Sequence, residues 1–78
     1  MSNLVSDEIV SRLTAIWEAE LGVVVAPQDD FFDLGGDSLL ALAVARQARA
    51  AGISMRAGAV LRYSTVTALA DAVHKGVA

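Results

Sequence analysis

The run Phe31-Phe32-Asp33-Leu34-Gly35-Gly36-Asp37-Ser38-Leu39-Leu40-Ala41-Leu42-Ala43-Val44-Ala45-Arg46-Gln47-Ala48-Arg49-Ala50-Ala51 holds both the clearest helical pattern of the chain and its sharpest turn. At 100° per residue, Leu40, Ala41, Val44, Ala45, Ala48 and Ala51 share one arc with no polar side-chain atom, the core face of a helix running from Ser38 or Leu39 to about Ala51. Leu39, Leu42, Arg46 and Arg49 fall on the opposite side. An apolar pair rimmed by cations suggests a docking surface for at least one of them, the alternative being that Leu39 and Leu42 tuck under the preceding loop. Ahead of the helix, two aromatics and Leu34 can anchor a loop, and Gly35 and Gly36 can turn it. Ser38 then stands at a helix start facing water, as a cap, a nucleophile or a handle for a covalent group.

Upstream, Ser6 suits an N-cap, Asp7 and Glu8 suit the positive end of a helix, and Val5 with Val10 has the spacing of a hydrophobic staple. The first helix is expected from about Asp7 to Glu20, with Ile9, Val10, Leu13, Ile16 and Trp17 on its inner face and residues 1–5 flexible. Gly22 ends it, and Ala26-Pro27 stops any strand that Val23-Val24-Val25 would begin. Residues 22–37 therefore form one long ordered loop, pinned by Val23 or Val25, by Phe31 or Phe32, and by Leu34. Long loops with their own apolar anchors tend to carry function.

Downstream, Gly52 closes the second helix, and residues 57–62 can make one short helix weakened by Gly58. Ser64 or Thr65 then caps a last helix whose inner stripe is Val66, Leu69, Ala70, Val73 and Val77. The expected fold is all-α: a small four-helix bundle, three main helices and one short one, forming a single domain over residues 1–78.

The wider composition narrows the chemistry. At 78 residues the chain is near the lower size for an unaided apolar core, and it has no cysteine, hence no disulfide and no side-chain thiol. That absence and the lack of a signal segment fit the cytoplasm, and no apolar run approaches the roughly 20 residues of a membrane span. The net charge of -3 is uneven: eight acids and Arg12 lie in residues 1–38, whereas Arg46, Arg49, Arg56, Arg62 and Lys75 face Asp71 alone in residues 39–78. Such fields can orient a partner or be plain solvated faces. Dispersed cations on a net acidic domain make a poor nucleic-acid footprint. One histidine among scattered carboxylates has no metal-ligand spacing. Gly35-Gly36 lacks the Gly-Lys-Ser/Thr of a P-loop, and Gly-x-Ser-x-Gly fails at Leu40. Gly36-Asp37-Ser38-Leu39 does spell the letters of a serine-esterase class, with Asp71 and His74 at that class's pair spacing. A helical chain of this size cannot build the parallel sheet those enzymes use, so this reading stays remote.

Phe31 to Leu42, FFDLGGDSLLAL, resembles the signature of the peptidyl carrier (thiolation) domains of nonribosomal peptide synthetases. Leu21-Gly22, Asp29-Asp30, Thr65-Val66 and Leu69-Ala70 extend the likeness over nearly the whole chain. The resemblance implies a monomeric four-helix carrier that is not itself an enzyme. A phosphopantetheinyl transferase would attach 4'-phosphopantetheine from coenzyme A to Ser38, flanked by Gly36 and Asp37. The thiol would hold aminoacyl, aryl or peptidyl groups as thioesters for adenylation, condensation or tailoring enzymes. Asp37 resembles the acidic residue that helps position the transferase's metal, and it can also stabilise the helix start by charge. Leu39, Leu42 and Arg46 resemble partner-contact positions, to which Arg49 is added from the helix projection. The acidic recognition helix of fatty-acid carriers is absent, so a polyketide or fatty-acyl carrier is the second reading and a purely structural module a further one. Two departures stand out: Ser64 occupies a position where many relatives have proline, and Ala57-Gly58-Ala59 is unusually glycine-rich, which puts the third helix in doubt. Met1 and the compact end at Ala78 suggest a free-standing carrier, although a domain excised from a longer protein would look the same.

Overall fold

The computed structural model describes residues 6–78, so Val5 of the expected staple and the stretch 1–5 expected to be flexible lie outside the described residues, as does the side chain of Ser6. Four helices follow in order: α1 (Ser6–Leu21), α2 (Ser38–Ala50), α3 (Ala57–Arg62) and α4 (Val66–His74), with no strand among the described residues. The all-α bundle expected from the sequence is the fold observed.

The core is assembled from the stripes the periodicity picks out. Ile9, Leu13 and Trp17 of α1, Ala41, Val44, Ala45 and Ala48 of α2, Val60 of α3, and Val66, Leu69 and Ala70 of α4 are buried together. Alanine at most of the buried α2 positions, and again in α4, keeps side chains small, which lets the helices approach closely. Val10, Ile16 and Leu40 are half-buried at the rim of this core. The largest fully buried side chain is Trp17, whose ring meets Phe31 edge-on with centroids 4.9 Å apart. Its indole N–H has no partner among the described residues.

Three expectations are settled or corrected by the folded chain. The link before α4 offers two hydroxyls, and Thr65 is the cap, accepting the Ala68 N–H at 3.1 Å, because Ser64 is engaged elsewhere. Val77 does not extend the α4 stripe: Gly76 takes a φ of +77°, and the Val77 and Gly76 amides turn back to Ala72 and Val73, leaving Val77 61% exposed. Ala72 joins the core in its place. α3 forms despite Gly58, because Ala59 and Val60 are buried while Gly58 faces open space.

Residues 22–37 form the ordered loop anticipated from sequence. Val25 and Phe31 are its buried anchors and Leu34 a half-buried one, whereas Val23 and Phe32 point outward. Polar contacts hold the loop against the start of α4, with Pro27 C=O accepting from both the Thr67 N–H (3.2 Å) and Thr67 Oγ1 (3.1 Å).

Candidate functional site

The turn ahead of α2 is built on Phe31. Its amide donates to Ser64 C=O at 2.6 Å, its ring is buried on Trp17, and its carbonyl accepts the Gly36 N–H at 2.9 Å. Gly36 lies so close that a Cβ there would collide with both the ring and the carbonyl oxygen of Phe31. Gly35, with φ of +94°, supplies the left-handed residue that turns the chain toward α2. Asp30 closes the other end: its Oδ2 accepts the Phe32 and Asp33 amides at 2.9 and 3.1 Å, and its Oδ1 accepts the Ser64 hydroxyl at 2.7 Å. The Ser64 and Asp33 donors hold the Asp30 carboxyl below the usual aspartate range, with desolvation opposing them and the Phe32 amide adding to them.

Asp37, in extended backbone, is the N-cap of α2, and its Oδ1 accepts the Leu40 N–H at 2.9 Å. Charge at the helix start is thus joined by a specific hydrogen bond. With the cap supplied by Asp37, Ser38 is the first helical residue; it is exposed, and its Oγ has no partner among the described residues. Several other hydroxyls differ. Thr14 donates to Val10 C=O, Ser64 to Asp30 and Thr67 to Pro27, while Thr65 caps α4.

Along α2, Leu39 is 76% exposed and Leu42 37%, so neither is tucked under the loop. Arg46 is exposed, and among the described residues no ion pair engages it. Arg49 is exposed too, but its Nη1 donates to Met55 C=O at 2.9 Å, tying α2 to the link before α3. Sequence periodicity assigns Arg49 a face and is silent about that bond. The esterase pair is not assembled. Lys75 holds Asp71 at 3.0 Å, no hydrogen bond joins His74 to Ser38, and His74 ends α4 about 12 Å along the helix axis from the end docked on the loop. Among the described residues no Ser–His–Asp relay is assembled. Asp30 and Ser64 are the residues that pattern reasoning missed as partners, since 34 positions separate them.

Residues 11–73 match the family described as "Phosphopantetheine attachment site". The chain belongs to that family. Family members bind 4'-phosphopantetheine, and the geometry here fits such a group: an exposed, unpartnered hydroxyl on a helix's first turn, with the Ser38 and Leu39 amides left open once Leu40 and Ala41 bond to Asp37. The chain is 38% identical over 74 residues to a linear gramicidin synthase from Brevibacillus parabrevis, covering 94% of this chain and 2% of that protein. It thus spans about one fiftieth of that much longer relative. In structure it is similar to BlmI, a type-II acyl-carrier protein from Streptomyces verticillus involved in bleomycin biosynthesis, with a TM-score of 0.81, 28% identity, and coverage of 94% of this chain and 90% of that one. A non-ribosomal PCP domain aligns with a TM-score of 0.77 at 36% identity over 88% of each chain. No helix among the described residues is long and apolar enough to cross a membrane.

Proposed function

We propose that this chain is a carrier for nonribosomal peptide synthesis, with Ser38 Oγ as the point to which a phosphopantetheinyl transferase joins 4'-phosphopantetheine from coenzyme A. The observation that carries this reading is the division of labour at the start of α2: Asp37 does the capping, so the neighbouring hydroxyl is exposed and uncommitted. The prosthetic group supplies a thiol on a flexible arm, which a chain without cysteine cannot provide. Ser38 contributes the linking oxygen. The open first-turn amides favour the resulting phosphodiester by about 0.3–1 kcal/mol, toward the lower value because the Asp37 carboxylate already occupies the helix end. Gly36 holds the turn on Phe31, and among the described residues no side chain hydrogen-bonds Ser38 Oγ, so we assign proton removal and Mg²⁺ to the transferase.

Leu39, Leu42, Arg46 and Arg49 form the surface we assign to the adenylation, condensation or tailoring enzymes that load and unload the thiol. Relatives named as nonribosomal peptide synthetases, and the similar non-ribosomal PCP domain, favour this branch over polyketide or fatty-acyl carriers. We assign the work to the cytoplasm, because the proposed modification draws on coenzyme A. The test is intact-mass analysis after incubation with coenzyme A, Mg²⁺ and a broad-specificity transferase. One phosphopantetheine per wild-type chain and none on Ser38→Ala is expected; no gain on wild type, or ester hydrolysis by the unmodified protein, would overturn the proposal.

A further inference from the structure

We infer that Ser64 is a positioning residue for the modification of Ser38, acting through a polar strap that holds the 22–37 loop against the start of α4. This rests on the carrier reading above. The strap has two halves. In one, Ser64 Oγ donates to Asp30 Oδ1 at 2.7 Å while the other oxygen of that carboxylate accepts the Phe32 and Asp33 amides, so a single side chain both closes the turn at 31–35 and joins it to the α3–α4 link. In the other, Thr67 donates to Pro27 C=O through its amide and its hydroxyl, and Gln28 Nε2 donates to Thr67 Oγ1 at 3.2 Å.

The route from strap to site runs along one stretch of backbone, residues 30–38, which a hydrogen bond joins to Ser64. Between Ser64 and Ser38 stand the Asp30 turn, Phe31 fixed on Trp17, Gly36 pressed against Phe31, and the Asp37 cap. Only Val25 and Phe31 of the loop are buried, so apolar packing alone leaves much of it free to move. The strap's bonds are exposed or partly buried and hence breakable without loss of the core. Their loss would make each encounter with the transferase order the loop first, a cost that enters binding and not the chemical step. The hydroxyl itself comes from the departure noted in the sequence, since proline at position 64 could not donate.

The experiment compares wild type, Ser64→Ala and Ser64→Thr as substrates of a broad-specificity transferase with coenzyme A and Mg²⁺, well below each protein's melting temperature, alongside amide hydrogen exchange. Ser64→Ala should raise KM for the carrier by about three- to tenfold, the scale of one net hydrogen bond, with kcat unchanged. Exchange at the Phe32 and Asp33 amides should quicken, and Ser64→Thr should restore both values. A lower melting temperature with KM within twofold of wild type would reduce Ser64 to a stabilising residue and overturn the inference, while leaving the carrier proposal standing. No modification of wild type would remove both.

Discussion

Replacing Gly36 with alanine adds one methyl group where the molecule has no space for it. The backbone at Gly36 is outside the left-handed region, so alanine meets no conformational penalty there and the whole cost is steric. The obstacle cannot swing aside, because the Phe31 ring is fully buried with Trp17 on its edge and its carbonyl is held in the turn by the Gly36 amide. Overpacking of this kind costs about 1–3 kcal/mol, and pushing residue 36 away from the Phe31 carbonyl forfeits a bond with a net contribution of about 0.5–1.5 kcal/mol. A combined loss of about 2–4 kcal/mol is a large part of the roughly 4–12 kcal/mol expected for a domain this size. It should lower the melting temperature by about 10–25 °C. Thermal unfolding followed by circular dichroism measures it, with the near-ultraviolet signal of Trp17 reporting the Phe31 contact. Two controls separate the causes. Gly35→Ala meets no neighbour but must keep φ near +94°, a cost of about 1–2 kcal/mol. Gly58→Ala, open to solvent inside α3, should stabilise by about 0.5–1 kcal/mol. A Gly36→Ala protein melting with wild type would refute the argument that Phe31 and Gly36 are locked together.

Three further outcomes follow from the same contacts. Asp37→Ala should remove the α2 cap at a cost of about 1 kcal/mol, seen as a fall of about 4–8 °C in melting temperature, with Asp37→Asn retaining most of the stability. Because hydrogen bonding lowers the folded-state pKa of Asp30, its contribution is fully present above the ordinary aspartate value and is lost as pH falls through the folded value. Urea unfolding across the acid range should therefore show a shallower decline for Asp30→Asn than for wild type, and parallel curves would contradict the assignment. Arg46→Glu should slow loading by the cognate adenylation enzyme by about fivefold at low salt, less at high salt, without changing helicity. Equal rates in a loading assay would remove Arg46 from the docking surface.

Local rules carried most of the architecture. The α2 arc from Leu40 to Ala48 could be projected from sequence because burial follows a 3.6-residue period. The choice between Val23 and Val25, and between Phe31 and Phe32, was not legible, since loop residues have no period: Phe31 is fixed by Trp17 and Ser64, and the Val25 amide by Glu18. Val77 shows the complementary failure: its spacing continued the α4 stripe, but the turn at Gly76 ended the helix first. Around the site, Ser38, Asp37 and the glycines are neighbours in sequence and could be found as a motif. The Asp30–Ser64 bond spans distant segments whose meeting only the folded chain defines. The Met55 carbonyl bond of Arg49 escaped for a related reason, because a helical projection gives a face and not a partner.

One particular oxygen, Ser38 Oγ, is the tether proposed for the prosthetic group. Tryptic cleavage after Arg12 and Arg46 releases Leu13–Arg46, in which Thr14 and Ser38 are the only hydroxyl residues. Thr14 donates its hydroxyl to Val10 within α1. Fragmentation of that peptide from transferase-treated protein should place a single phosphopantetheine on Ser38. Its appearance on Thr14, on a hydroxyl in any other peptide, or nowhere at all would contradict the account.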